Sequence, residues 1–121
     1  MTTLLLVVLG AAVGAPARYL IDRAVQARHD SLFPWGTFTV NVTGSALLGF
    51  LLALPATGAA QALLGTGLCG ALTTYSTFGY ETLRLLQNGA RTYAALNAVA
   101  GIAAGLGAAW CGIALAQAVI P

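Results

Sequence analysis

The sequence predicts an all-α membrane protein with four transmembrane helices, of which the third is broken. Hydrophobic residues make up 59% of the 121 residues and charged residues only 7%, whereas about 25% of a soluble domain is charged. The apolar residues form four runs, each long enough to cross ~30 Å of hydrocarbon: residues 2–21, 35–54, 59–86 and 92–119. The third run gathers glycines and hydroxyl residues at its middle, which weakens a continuous helix. We therefore expect a single transmembrane domain over residues 1–121.

The first run is interpreted as a transmembrane helix. It also fits a cleaved leader, because Ala15-Pro16-Ala17 resembles a signal-peptidase site. However, no basic residue precedes the run and further apolar runs follow it. Gly10 and Gly14 form a Gly-x-x-x-Gly pair suited to close helix contact. Residues 22–34 are then expected to form the first polar loop.

The second run is expected to begin at Pro34-Trp35-Gly36. Proline suits a first helical turn, and tryptophan suits the membrane interface. Asn41 lies inside this run, where its amide must form hydrogen bonds. It either bridges helices or lines a pathway, and its spacing alone does not separate these alternatives.

The third run carries the most unusual stretch, residues 67–78. It contains two glycines, three threonines, a serine and two aromatic residues. Hydroxyls at membrane depth need partners, and broken helices at this depth bind ions in channels and transporters. Small and hydroxyl residues also line ordinary helix contacts, so both interpretations stand. Glu81, one turn beyond, either pairs with Arg84 or provides an acid at a pore mouth.

The remaining segments complete a small bundle. Residues 55–58 form a turn without charge, and Gly89 occupies a helix-stopping position before the fourth run. That run contains Asn97 and a second small-residue pair, Gly101 and Gly105. Four short spans with small-residue faces hardly enclose a pathway by themselves. We therefore expect an oligomer.

The composition argues against several function classes. Neither a histidine nor an aspartate lies inside the predicted spans, so no base for a serine nucleophile and no aspartate pair is present, and an enzyme is not expected. Five arginines without any lysine are too few for a nucleic-acid surface. What remains is a path of neutral donors: Asn41, Thr73, Thr74, Ser76, Thr77 and Asn97. The ring edges of Tyr75 and Phe78 add positive partial charge, and carbonyls at the break suit Na⁺.

These residues resemble the Fluc family of fluoride channels, also called CrcB. The resemblance is carried by three stretches: Gly14-Ala15 with Arg18-Tyr19; Pro34-Trp35-Gly36-Thr37 with Val40-Asn41 and Gly44; and Gly67-x-Cys69-Gly70 continuing into Thr73-Thr74-Tyr75-Ser76-Thr77-Phe78 with Glu81. They cover three of the four predicted spans in the family's order and spacing. Two positions depart from the family pattern: Tyr75 stands where phenylalanine is usual, and Asn97 falls where some members carry tyrosine.

The resemblance implies an antiparallel, dual-topology dimer in the cell inner (plasma) membrane. Each dimer would hold two pores for passive export of fluoride that entered the cell as HF. The implied pore residues are Asn41, Tyr75, Ser76, Thr77, Phe78 and Glu81, with Asn97 a more distant candidate. A structural Na⁺ at the dimer centre would bind the backbone carbonyls of Gly70 and Thr73. The alternatives are a non-transporting membrane subunit and a small-cation channel that uses the same carbonyls.

The arginines complicate the predicted dimer. Arg23, Arg28 and Arg91 fall in loops on one predicted side, with Arg18 and Arg84 close to it, and the other side has no arginine or lysine. Such a bias favours one orientation in the membrane, whereas an antiparallel homodimer needs both. The sequence is therefore compatible with a homodimer or with a heterodimer that includes an oppositely oriented paralogue.

Overall fold

The computed structural model describes residues 1–29, 32–55 and 57–120. Within these ranges the chain is helical and contains no strand, as the sequence predicts. The elements in order are α1 (Thr2–Ala27), α2 (Trp35–Ala53), α3 (Gly58–Ala60), a π-helix (Gln61–Cys69), α4 (Gly70–Leu72), α5 (Tyr75–Gln87) and α6 (Arg91–Val119). Parts of two predicted connections, Asp30 and Ser31 in the first loop and Ala56 in the turn at 55–58, lie outside the described residues.

Three of the described helices are long and apolar enough to cross a membrane: α1, α2 and α6. The third apolar run forms no such helix, because it is divided among α3, the π-helix, α4 and α5. Gly89 has φ +80°, a backbone conformation that glycine adopts without steric cost, and it ends α5 as expected. The described residues are therefore all-helical and include three candidate membrane spans.

The end of α1 is fixed to the beginning of α2. The helix continues to Ala27, so Asp22 lies on it and not in the polar loop where the sequence placed it. The Gly36 N–H donates to Gln26 Oε1 at 3.2 Å, which satisfies one of the N–H groups that lack partners at a helix start. The Asp22 carboxylate lies against the Gly36 Cα, where the positive end of α2 favours it.

The predicted glycine face of α1 packs directly on the π-helix. A Cβ at Gly10 would overlap the Leu63 carbonyl oxygen, and a Cβ at Gly14 would overlap that of Leu68. Gly67 makes the corresponding contact from the π-helix, since a Cβ there would lie 2.7 Å from the Val7 carbonyl oxygen. The two backbones thus approach as closely as the Gly-x-x-x-Gly pair predicts.

A second close contact joins α2 to α6, but it uses other glycines than the sequence suggested. A Cβ at Gly49 would overlap the Ala109 carbonyl oxygen, and a Cβ at Gly112 would overlap that of Ala46. Gly101 and Gly105 do not make this backbone contact, because a Cβ at Gly101 would meet Phe78 and one at Gly105 would lie 3.7 Å from Ser45 Oγ. The pair Gly101 and Gly105 therefore predicted the correct helix, but not the glycines that make the backbone contact.

We expect Gly10→Ala to destabilise the protein by about 1–3 kcal/mol, because overpacking against backbone forces the two helices apart. The protein is heated in detergent, and the fraction that remains in the monodisperse peak is measured by size-exclusion chromatography. The compared quantity is the midpoint, the temperature at which half of this peak is lost. Gly107→Ala is the matched control, since no atom lies within 4 Å of a Cβ built there. Equal midpoints for the two variants would contradict the described contact.

Candidate functional site

The third segment is broken at Thr73 and Thr74. Their backbones are extended, with φ −78° and ψ 158° at Thr73 and φ −145° and ψ 121° at Thr74. Thr73 follows the last residue of α4, and Thr74 precedes the first residue of α5. The β-branched side chain of threonine suits this extended conformation. The interruption expected within residues 67–78 is thus present and two residues long.

Asn41 of α2 pairs with both backbone groups of Thr74. Its Nδ2 donates to the Thr74 carbonyl oxygen at 3.0 Å, and the Thr74 N–H donates to its Oδ1 at 2.7 Å. In a continuous helix the Thr74 N–H would instead donate to the carbonyl of Gly70, four residues earlier. A backbone group without a partner in hydrocarbon costs several kcal/mol. The Asn41 amide therefore stabilises the break by replacing the helical hydrogen bonds.

Hydroxyl groups satisfy the ends of the helices that flank the break. Thr73 Oγ1 donates to the Cys69 carbonyl oxygen at 3.0 Å, and Thr74 Oγ1 accepts the Thr77 N–H at 3.2 Å. The second bond is an N-terminal cap of α5. Gly44 of α2 admits the Thr73 side chain, because a Cβ at Gly44 would overlap Thr73 Cγ2. The threonines of the unusual stretch are thus used largely to terminate helices.

An open groove of about 480 Å³ lies beside the break, between α2, α6 and the start of α5. Its polar lining comes from Asn41, Ser45, Thr73 and Thr74, and its aromatic lining from Tyr75 and Phe78. Tyr75 is 88% exposed, and Phe78 is half-buried. The structure thus brings together the predicted residues Asn41, Tyr75 and Phe78.

The groove also contains a residue that the sequence analysis missed, Ser45. It lies one helical turn after Asn41 on α2, so its hydroxyl shares a face with the amide. The available signal was this i,i+4 spacing between two polar residues in an apolar run. Ser45 was overlooked because small hydroxyl residues are common in membrane helices whether or not they meet a ligand.

A second, smaller cavity of about 210 Å³ also adjoins the break. Thr74 lines both spaces, so both adjoin the break at the same residue. Arg18, Asp22, Thr37 and Thr77 contribute to the lining of the cavity. The Nε atom of Arg18 is buried and makes no hydrogen bond among the described residues. The predicted residue Thr77 is therefore placed in this cavity and not in the groove.

Glu81 is joined to α2 by a hydrogen bond from the Thr37 hydroxyl to its Oε1. Thr37 is 2% exposed and lines the smaller cavity, so Glu81 lies next to that space. The sequence is compatible with two roles for Glu81, a partner of Arg84 or an acid at a pore mouth. Its hydrogen bond to Thr37 places its carboxylate beside the cavity.

Two predicted residues lie apart from both spaces in the described chain. Ser76 is exposed and lines neither the groove nor the cavity. Asn97 is 2% exposed, and its Nδ2 donates to Thr82 Oγ1 at 2.8 Å. Asn97 thus lies in the contact between α5 and α6.

Backbone carbonyls are the groups here that suit a cation. Gly70 begins α4 and is exposed, and the Thr74 N–H that would pair with its carbonyl is taken by Asn41. Among the described residues, no cluster of three histidine, cysteine, aspartate or glutamate side chains could hold a metal ion. A cation at this point would therefore be held by carbonyl oxygens, which suit a hard ion.

Comparison with known proteins gives a consistent result over nearly the whole chain. A family model described as CrcB-like protein, Camphor Resistance (CrcB), matches residues 5–113. A protein of Streptomyces avermitilis named fluoride-specific ion channel FluC 1 is 63% identical over 118 residues, which are 94% of this chain and 95% of that protein. A protein of the same name from Frankia casuarinae is 60% identical over 95% of this chain and 96% of its own length. Fluoride-specific ion channel FluC of Geobacter sulfurreducens is 43% identical over 97% of this chain and 98% of its own.

We expect Asn41→Ala to lower the stability of the folded protein by about 2–6 kcal/mol, because two backbone groups lose their partner and each costs about 1–3 kcal/mol. The measurement is the same heat-induced loss of the monodisperse peak in detergent. Ser45→Ala, on the same helix one turn away, is the control and should change the midpoint little. A midpoint for Asn41→Ala equal to that of the control would show that the break does not depend on the amide.

Proposed function

The chain belongs to the CrcB, or Fluc, family, and from this premise we propose that it is a fluoride-selective channel that lets fluoride leave the cell passively. The observation that carries the proposal is the groove at the broken helix, where an amide and two aromatic rings converge in a chain 63% identical to a protein named a fluoride-specific ion channel. A channel makes and breaks no covalent bond, and no enzymatic activity is proposed.

The groove offers groups that replace the water around a small anion. The Nδ2 of Asn41 carries two hydrogens, and its bond to the Thr74 carbonyl uses one of them. The second hydrogen is proposed to donate to fluoride. The edges of Tyr75 and Phe78 carry positive partial charge, and α5 begins beside them, so its positive end adds to the field.

The smaller cavity is proposed as the second half of the path. Thr74 joins it to the groove, and the Thr77 hydroxyl and the Arg18 guanidinium contribute to its lining. The Thr37–Glu81 hydrogen bond lies beside it, which supports Glu81 as an acid near the path. Ser76 is proposed to reach the path across a subunit boundary, because it is exposed on the single chain.

We propose an antiparallel dimer of four-span subunits in the plasma membrane, with the broken third segment as the fourth crossing. The openness of the groove and the 88% exposure of Tyr75 support a partner that covers this face. A homodimer is the simplest partner. A heterodimer with an oppositely oriented paralogue remains the alternative, because the arginines fall in or near the loops of one predicted side of the membrane.

A structural Na⁺ is proposed at the dimer centre, on the backbone carbonyls of Gly70 and Thr73. The diversion of the Thr74 N–H to Asn41 supports this assignment, because it removes the helical donor of the Gly70 carbonyl. The missing side chain at Gly70 also leaves room for a second copy. When bound, the cation would attract backbone carbonyl oxygens from the break in each of the two subunits.

The test is fluoride efflux from liposomes that contain only the purified chain, followed with a fluoride electrode. We expect fluoride efflux that requires the protein, and far less efflux when liposomes loaded with chloride are followed with a chloride electrode. No efflux of either anion would indicate a non-transporting subunit or a chain that needs a paralogue, and the orientation of the chain in cells distinguishes these two cases. A cation channel would instead give currents that follow the replacement of Na⁺ or K⁺ and ignore the anion.

We expect Phe78→Ile to reduce fluoride efflux by roughly tenfold or more, the effect of about 1.4 kcal/mol on a barrier. The substitution keeps much of the apolar volume and removes the positive ring edge. Tyr75→Phe is the matched control, because it keeps the ring and should remain active. Normal efflux through a well-folded Phe78→Ile protein would remove the ring edge from the proposed mechanism.

The orientation of the chain is tested in intact cells with a C-terminal epitope tag. A homodimer that inserts both ways should present the tag on both sides of the membrane in comparable amounts. A membrane-impermeant protease would then remove the tag from about half of the chains, and lysis would expose the rest. Complete removal or complete protection in intact cells would indicate a single orientation and hence a different partner.

A further inference from the structure

The ring of Phe78 lies against α6 at a residue without a side chain, Gly101. A Cβ at Gly101 would lie 2.6 Å from Cε1 of Phe78, 3.4 Å from Cζ and 3.5 Å from Cδ1, and these are its three nearest atoms. Ordinary contacts between carbon atoms are about 3.5–4.0 Å. The ring therefore occupies its place only because residue 101 is a glycine.

A hydrogen-bonded contact lies one turn away on the same two helices. Asn97, four residues before Gly101, donates from Nδ2 to Thr82 Oγ1 at 2.8 Å. The Thr82 hydroxyl in turn donates to the Phe78 carbonyl oxygen at 2.9 Å. Asn97 is 2% exposed, so this interaction is shielded from competing partners. Helix α6 thus contacts the ring of Phe78 directly and its backbone through Thr82.

We propose that Gly101 is a positioning residue for the Phe78 ring, and that the Asn97–Thr82 hydrogen bond fixes the register of α5 against α6. This assignment rests on the proposed function, in which the ring edge faces fluoride. The positive partial charge of an aromatic ring is confined to its edge, so the field in the groove depends on where the ring lies. The polar residue Asn97 then acts through Thr82 and Phe78 without touching the ion.

The variant Gly101→Ala isolates this role. The atoms nearest to the new methyl group all belong to the far end of the Phe78 side chain, so the ring moves while the helix backbones stay in place. A ring shift of about 1 Å restores ordinary contact. We expect fluoride efflux to fall by about tenfold or more, since a misplacement of about 1 Å in a preorganised site costs up to about a hundredfold.

Gly105→Ala is the matched control. It places the same methyl group on the same helix and in the same groove, but the nearest atom is Ser45 Oγ at 3.7 Å, an ordinary contact. Its efflux should fall less than that of Gly101→Ala, because the added methyl group displaces no preorganised group. Equal losses in the two variants would mean that bulk in the groove matters and the position of the ring does not.

The position of the ring is followed independently with 4-fluorophenylalanine at residue 78 and ¹⁹F NMR of the purified protein in fluoride-free detergent solution. We expect Gly101→Ala to shift the resonance and Gly105→Ala to leave it in place. Loss of efflux without a shift, or a shift without loss of efflux, would overturn the proposal. If the parent conducts no fluoride, the proposed function fails, while the resonance still reports whether Gly101 places the ring.

Thr82→Val provides a second variant of similar shape. It removes the hydroxyl that accepts from Asn97 and donates to the Phe78 carbonyl. We expect a shifted ¹⁹F resonance and reduced efflux, in the same direction as for Gly101→Ala. If Gly101→Ala gives no folded protein, Thr82→Val decides the question, and an unshifted resonance with parental efflux would overturn the proposal.

Discussion

The structure depends on the pairing of one side-chain amide with the backbone N–H and C=O of one residue. Asn41 accepts the Thr74 N–H and donates to the Thr74 carbonyl, so a helix can stop and restart without leaving these two groups unsatisfied. The extended residues, the cap on α5 and the groove all follow from this arrangement. The pairing also explains why an asparagine serves here. Its amide is neutral, and it offers a donor and an acceptor in one plane.

Glycines determine how closely the other helices surround this break. Gly10 and Gly14 bring α1 onto the π-helix, while Gly49 and Gly112 join α2 to α6. Gly44 admits Thr73 to the surface of α2. In lipid, helix association relies on packing and hydrogen bonds because lipid is as apolar as the side chains. Backbone-to-backbone contact therefore replaces the large apolar core of a soluble protein.

The sequence predicted those features that depend on residue type at short range. The broken helix followed from the cluster at residues 67–78, the end of α5 from Gly89, and the face of α1 from Gly10 and Gly14. The sequence did not predict the contacts between segments that lie far apart along the chain. Spacing does not reveal that Gly101 meets an aromatic ring while Gly112 meets a backbone, because both look alike on α6. Asn97 illustrates the same limit: its polarity was evident from the sequence, but its buried partner Thr82 was not.

The π-helix ahead of the break makes the length of the third segment critical. The π-helix Gln61–Cys69 has wider turns than an α-helix. Its contact with the glycines of α1 fixes its rotation about the helix axis, and this rotation fixes the direction in which the residues after it lie. Each residue of an α-helix turns the chain by about 100°. A single inserted or deleted codon between Gly67 and Thr74 would therefore rotate the break away from Asn41. We therefore expect this segment to accept substitutions but not changes in length.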